Sequence, residues 1–221
     1  MAIIKWIPDM LTAAGILTAY LLGAIPFGLI IARMYGVADI RQHGSRNIGA
    51  TNVLRVIGAK AAAWVFAADI GKGVAAVLIA RLLIDGAGVA SIDRDAFLII
   101  CGVASILGHV FSIFLHFKGG KGVNTALGAM ITLLPIPCLI ALIIFGAVFL
   151  AFRIVSLASI LATSSLFFIL WGQARVFSEH VAAVYYYVSI GLALLIIVTH
   201  RANIARILSG TENRFSFRSK S

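Results

Sequence analysis

The chain has 221 residues, of which 62% are hydrophobic and 12% charged, with a formal net charge of +10. Its mean hydropathy is +1.07, which excludes a water-soluble globular domain of this length and points to an integral membrane protein. The cations do not indicate nucleic acid. They sit in short segments between apolar runs, with no separate soluble domain to carry them.

In chain order, "MAIIKWIPDM" offers one lysine, then Pro8 and Asp9, before a run over about 10 to 32. That run is long enough to stay as a membrane span rather than be cleaved as a signal peptide. The loop that follows, "RQHGSRNIGATNVLRVIGAK", is strongly cationic and is assigned to the cytoplasm, which puts the N-terminus outside. A second span covers about 61 to 80 and contains "DIGKG", whose Asp69 and Lys72 are three apart and read as an ion pair within the bundle. "IDGAGVASIDRD", with Asp85, Asp93 and Asp95, lies outside. The third span, about 96 to 115, carries His109 near its cytoplasmic end, where a histidine is costly unless it is satisfied.

The region from about 123 to 151 is too long for one ordinary span, and Pro135 and Pro137 break it. Spans over 154 to 171 and 181 to 199 follow. Splitting the long region at its prolines makes seven spans and returns the tail "THRANIARILSGTENRFSFRSK" to the cytoplasm. Only Lys5, Arg81, Arg94 and Arg175 then lie outside, and Lys72 within a span. The expected fold is therefore all-α, with seven transmembrane helices in one domain, residues 1–221. Its weak point is the fourth span, about 18 Å long at residues 123 to 134, against an apolar core of about 30 Å. Cys101 and Cys138 fall inside apolar runs and read as packing residues.

Three cytoplasmic segments carry chemistry. "GSRNIGATNVLR", Gly44 to Arg55, packs Ser45, Asn47, Thr51 and Asn52 between glycines. Small residues let backbone amides approach a ligand, and arginine can grip two phosphate oxygens. The competing reading is a polar turn in which Ser45 or Asn47 only caps a helix. "KGGKG", from Lys118 through Gly119, Gly120 and Lys121 to Gly122, immediately precedes an apolar helix. Inward-curling amides, a helix N-terminus and two lysines would form a phosphate cradle. It is not a Walker A loop. The competing reading is a positive-inside loop with glycines as helix stops. In "HRANIARILSGTEN", His200 and Asn203 share a helical face, and Glu212 is a rare cytoplasmic acid. No His and Cys cluster has zinc spacing, and no acidic cluster suggests magnesium.

Together these segments resemble the motifs of the bacterial acyl-phosphate:glycerol-3-phosphate acyltransferase family. "GSRNIGATNVLR" is similar to its first motif, "GHVFSIFLHFKGGKGVNTALG" to its second and "HRANIARILSGTEN" to its third, over essentially the full chain. The first motif more commonly reads G-S-G-N. Here Arg46 replaces the second glycine, and Asn124 stands where alanine is more usual.

The resemblance implies transfer of a fatty acyl group from acyl phosphate to the 1-hydroxyl of glycerol 3-phosphate. The site would lie on the cytoplasmic side of a bacterial inner membrane. Ser45 and Arg55 would be essential, with His200 and Asn203 completing the catalytic set. Asn52, Lys118, Lys121 and the glycines 119, 120 and 122 would bind substrate, and the residues themselves add Asn47, Thr51 and His109 to that set. Glu212, Asp69 and Lys72 would be structural. The partners implied are the two substrates, membrane lipid and the enzyme supplying acyl phosphate, with no cofactor, metal or nucleic acid.

Acyl phosphate is already activated, so holding the departing phosphate and the developing oxyanion can suffice without an enzyme nucleophile. With no His–carboxylate pair evident in the sequence, a substrate phosphate oxygen is favoured over His200 or His109 as proton acceptor. A transporter for a phosphorylated anion is the rival class.

Overall fold

The computed structural model describes residues 3–87, 92–177 and 181–215, and those residues form helices and turns with no strand. The side chain of Lys5, the loop residues 88–91, and the tail cations Arg218 and Lys220 lie outside the described residues. The chain divides into two compact units, residues 1–133 and 134–221.

The first unit contains α1 (Ile3–Ala24), α2 (Phe27–Met34), α3 (Ala50–Val56), α4 (Ala59–Ala87), α5 (Arg94–Val110) and α6 (Val123–Leu133). Helix α1 packs on α5, and α4 packs on α6. A glycine on each partner lets the backbones meet. A side chain on Gly73 of α4 would strike the carbonyl of Thr125, and one on Gly128 of α6 the carbonyl of Ile70. Between helices in lipid, where the hydrophobic effect gives no drive, such close backbone contact is the main source of adhesion.

The first apolar run is one path broken at Pro26, which has no N–H to donate and cannot continue α1. The carbonyls exposed by the break are taken up by neighbours. Ser112 Oγ donates to Ala24 at 2.6 Å, and Lys72 Nζ donates to Ile25 at 3.0 Å. Two cores fill the unit. One, with Ala19, Ala76, Phe97, Leu98 and Cys101, lies toward the Asp93 turn. The other, with Leu29, Ile40, Ile48, Val53, Val65 and Leu115, underlies the cationic segments.

The second unit contains α7 (Pro135–Phe152), α8 (Val155–Val176), α9 (Ala183–Thr199) and α10 (Arg201–Leu208). Helix α7 packs on α8, and α8 on α9. The apolar region 123–151 is thus two helices, separated where Pro135 begins α7. Large apolar side chains such as Ile143, Leu150 and Phe168 point away from the protein, as lipid-facing surfaces do.

Among the described residues, five helical stretches are long and apolar enough to cross a membrane, and a sixth if α9 and α10, bent by 65°, count as one. The seven-span expectation exceeds this by α6. Its 11 residues reach about 16 Å, roughly half the hydrocarbon thickness.

Candidate active site

The first cationic segment is organised around one buried side chain. Asn52, on α3, is 1% exposed. Its Oδ1 accepts from the Ser45 amide at 2.7 Å, and its Nδ2 donates to the carbonyls of Asn47, His43 and Ile40 at 2.8, 3.0 and 3.2 Å. A carboxamide suits this place because it carries an acceptor oxygen and a two-proton donor nitrogen on opposite sides of one planar group. With every polar atom engaged, Asn52 shapes the loop and does not reach outward to a substrate.

Asn47 Oδ1 accepts from the Gly49 amide at 2.8 Å, closing a tight turn into α3. Before it, Asp39 caps a short 3-10 turn and grips Arg41 through paired contacts of 2.8 and 2.9 Å. Hydrogen bonds from the Arg41 side chain and backbone hold the Asp39 carboxyl down at about 2.

This scaffold leaves Ser45 and Arg55 exposed and Thr51 half-buried. Ser45 is flanked by Gly44 and Arg46, both in the left-handed region at φ 56° and 59°. Arginine there carries strain that glycine would not, which accounts for glycine being the commoner residue at this point of the motif.

The second segment is held against the end of α5. The Gly119 amide donates to the Val110 carbonyl at 3.0 Å, and the Gly120 amide to the His109 carbonyl at 3.0 Å. These two amides are therefore committed to the protein, which corrects the expectation that they curl toward a phosphate. The glycines are needed for a different reason. A side chain on Gly119 would strike the His109 carbonyl, and one on Gly120 the His109 ring. Lys118 is exposed and Lys121 half-buried. His116 and Phe117 precede them in the left-handed region, at φ 52° and 61°. Leu115 is buried in the same core as Ile48 and Val53, so both cationic segments sit at one end of the first unit.

His109 is 5% exposed, and its Nδ1 lies 3.5 Å from Asp69 Oδ1. That oxygen also pairs with Lys72 Nζ at 3.0 Å. A His–carboxylate pair therefore exists where the sequence offered none. Its members are forty positions apart, and only the packing of α4 on α5 joins them.

In the second unit, α9 bends into α10 at His200, so His200 and Asn203 do not share the face of a continuous helix. His200, 2% exposed, sets its Nδ1 2.8 Å from the Ile196 carbonyl. Asn203 turns to Glu212. The Glu212 carboxylate gathers Asn203 Nδ2 and Arg206 Nε at 2.6 Å each, and Ser156 Oγ at 2.8 Å. Burial opposes its charge, but these donors outweigh burial and hold the carboxyl below the usual glutamate value. Neither Ser156, fifty-six positions away, nor Arg206 is marked as a partner of Glu212 by any sequence motif. The opposite charges of Arg206 and Glu212, six apart, were the one available signal. The Phe215 amide donates to the Arg153 carbonyl at 2.7 Å and its ring packs on Phe149, so the segment after α10 returns to the α7–α8 turn.

The profile of the family described as glycerol-3-phosphate acyltransferase matches residues 13–210. The chain belongs to that family. A glycerol-3-phosphate acyltransferase of Dinoroseobacter shibae is 43% identical over 212 residues, covering 94% of this chain and 97% of its own. That of Aquifex aeolicus is 43% identical over 201 residues, covering 90% and 97%. The crystal structure of PlsY (YgiH), an integral membrane glycerol 3-phosphate acyltransferase, in its glycerol 3-phosphate form superposes with a TM-score of 0.80. It is 40% identical, with 93% of this chain and 96% of that one covered. Its lysophosphatidic acid form gives a TM-score of 0.78 at the same identity, covering 93% and 95%. This chain is accordingly a multi-pass integral membrane protein of an acyltransferase family.

Proposed function

We propose that this acyltransferase moves a fatty acyl group from acyl phosphate to the 1-hydroxyl of glycerol 3-phosphate, releasing lysophosphatidic acid and inorganic phosphate. The whole chain, 1–221, acts as one membrane domain in a bacterial inner membrane. It has seven spans, an external N-terminus and a cytoplasmic site, with α6 as the short fourth span. Ser45, Arg55, His200 and Asn203 form the catalytic set. Asn47, Thr51, Lys118, Lys121 and Gly122 take substrate contacts, while Asn52, Gly119, Gly120 and His109 shape the loops that present them. Acyl phosphate comes from a partner enzyme that makes it.

The observation that carries this reading is the display of Ser45 and Arg55. Ser45 is exposed on the loop built around Asn52, and Arg55 is exposed on α3, the helix that carries Asn52. An arginine so placed grips phosphate through paired charge-assisted bonds, and a serine hydroxyl can hold a substrate oxygen.

In the reaction, the glycerol hydroxyl oxygen attacks the acyl carbonyl carbon and the carbon–oxygen bond to phosphate breaks, with its electron pair leaving on phosphate. The proton goes to a phosphate oxygen of glycerol 3-phosphate. That choice is supported by burial of both motif histidines, each at most 5% exposed, with the His109 ring behind Gly120 and the His200 ring against Ile196.

Phosphate release from palmitoyl phosphate and glycerol 3-phosphate in detergent tests the activity; a transporter would release none. Ser45→Ala and Arg55→Ala should each remove most activity from a folded protein, and Arg55→Lys should rescue poorly, since lysine is a point charge. Mass spectrometry of enzyme quenched with acyl phosphate alone should find no acyl group on Ser45. A stoichiometric adduct there would replace direct transfer with a two-step covalent route.

A further inference from the structure

The first unit buries a line of polar groups that makes no substrate contact in the proposed transfer. It begins at the break in the first span, where Lys72 Nζ meets the Ile25 carbonyl at 3.0 Å. It passes through Asp69 Oδ1, 3.0 Å from that ammonium and 3.5 Å from His109 Nδ1. It ends at Gly120, whose amide donates to the His109 carbonyl and whose missing side chain leaves the space filled by His109 Nε2. Asp69, Lys72 and His109 are 2%, 4% and 5% exposed.

Taking charged groups out of water costs on the order of what their mutual attraction returns, so apolar residues would join α4 to α5 at least as well. Buried ionisable groups at membrane depth are expensive, and they are kept where they serve a site. Here both ends of the line are informative. One end rests on a carbonyl that Pro26 leaves open. The other rests on the turn that carries Lys118 and Lys121.

We propose that Asp69 and His109 are positioning residues that set the place of the Lys118–Gly122 turn, acting through Gly120. An imidazole can rotate unless one nitrogen has a fixed partner, and the group that holds Nδ1 decides where Nε2 points. Asp69 Oδ1 faces that nitrogen at 3.5 Å, an ion-pair distance rather than a hydrogen bond. Among the described residues neither atom has a hydrogen bond elsewhere, so each is the other's available partner. Lys72 pairs with Asp69 against the broken first span. The ring is then a spacer of set orientation behind Gly120, while its own backbone carbonyl holds the Gly120 amide. Neither Asp69 nor His109 touches substrate. Their effect on catalysis rests on the reading of this turn as a substrate-binding element.

The test is hydrogen–deuterium exchange of the full-length protein in detergent without substrate, followed by kinetics. Asp69→Asn combined with Lys72→Met removes the line's charges together, leaving no orphan ion. Exchange over residues 118–122 should then quicken at least tenfold while the middle of α5 is unchanged. KM for glycerol 3-phosphate or acyl phosphate should rise at least fivefold, with kcat within about twofold. Gly120→Ala should have the same effects, because its methyl meets the His109 ring. Adding His109→Ala to Gly120→Ala should recover at least half of the loss by vacating that space.

Wild-type exchange over 118–122 in the neutral variant would overturn the proposal. So would a Gly120→Ala defect that His109→Ala leaves untouched, and this second arm decides alone if the neutral variant does not insert. Faster exchange with unchanged KM for both substrates would uphold the positioning role and overturn the substrate-binding reading of the turn.

Discussion

The loop around Asn52 and the turn around Glu212 each rest on one buried polar side chain, but of opposite kinds. Asn52 is neutral and binds only backbone, accepting one amide and donating to three carbonyls. Glu212 is charged and gathers three side chains, all of them donors. A carboxamide can organise a loop whose carbonyls turn inward. A carboxylate can only collect donors, and so suits a junction between helices that supply them. The two also differ in strain. The turn at Glu212 puts Gly210 in its left-handed position, whereas the Asn52 loop uses Gly44 and then Arg46.

The sharpest way to break this contrast is to exchange the two chemistries. Asn52→Asp turns a donor into an anion facing three carbonyls. It should destabilise the first unit by about 3–5 kcal/mol, the range for an uncompensated buried charge, and abolish activity. Thermal unfolding in detergent and phosphate release would measure both. A stable, active Asn52→Asp enzyme would show that the loop does not depend on the carboxamide.

Glu212→Ala strands three donors and should cost about 3 kcal/mol. Glu212→Gln keeps the shape and should cost about 1–2 kcal/mol through weaker, uncharged bonds. The pH dependence separates charge from shape. The Glu212 carboxyl titrates lower in the folded protein than in the unfolded chain. Its contribution is therefore present above the ordinary glutamate value and is lost as pH falls through the lowered one. The gap in melting temperature between wild type and Glu212→Gln should shrink as pH is taken below about 4.5, where unfolded glutamate begins to protonate. A constant gap would assign Glu212 a steric role only.

The smallest effect is expected at Arg46. Arg46→Gly relieves left-handed strain but adds unfolded-state entropy, for a net gain of about 0.5 kcal/mol. A small rise in melting temperature would confirm that the Asn52 loop is strained in a way the Glu212 turn is not. A fall would mean that the Arg46 side chain holds the loop.

Much of this could be read along the chain because it depends on local chemistry. Pro135 had to end one helix and start another, and it does. The apolar runs had to be helices, since their length and hydropathy follow from residue type alone. The glycine-rich cationic segments announced that they were not helix interiors. Legibility failed where a residue's role depends on a distant partner. Asn52 read as a ligand because its neighbours are ligand-like, and the carbonyls of Ile40 and His43 that occupy it cannot be seen in a motif. Gly119 and Gly120 read as freeing their amides, whereas packing had already claimed them.

The sequence by itself determined membrane residence, helical architecture, the break at Pro135 and the three segments that bear the chemistry. Each follows from transfer free energy and backbone sterics over a few consecutive residues. The break at Pro26 inside the first apolar run emerged only in the structure. Only the tertiary structure decided which polar groups face outward and which are consumed within the protein. The pairing of His109 with Asp69, the four bonds of Asn52 and the closure of Ser156 on Glu212 all join residues on different elements. In a low-dielectric interior an unpaired polar group is costly, and which neighbour each one meets is settled only when the helices pack.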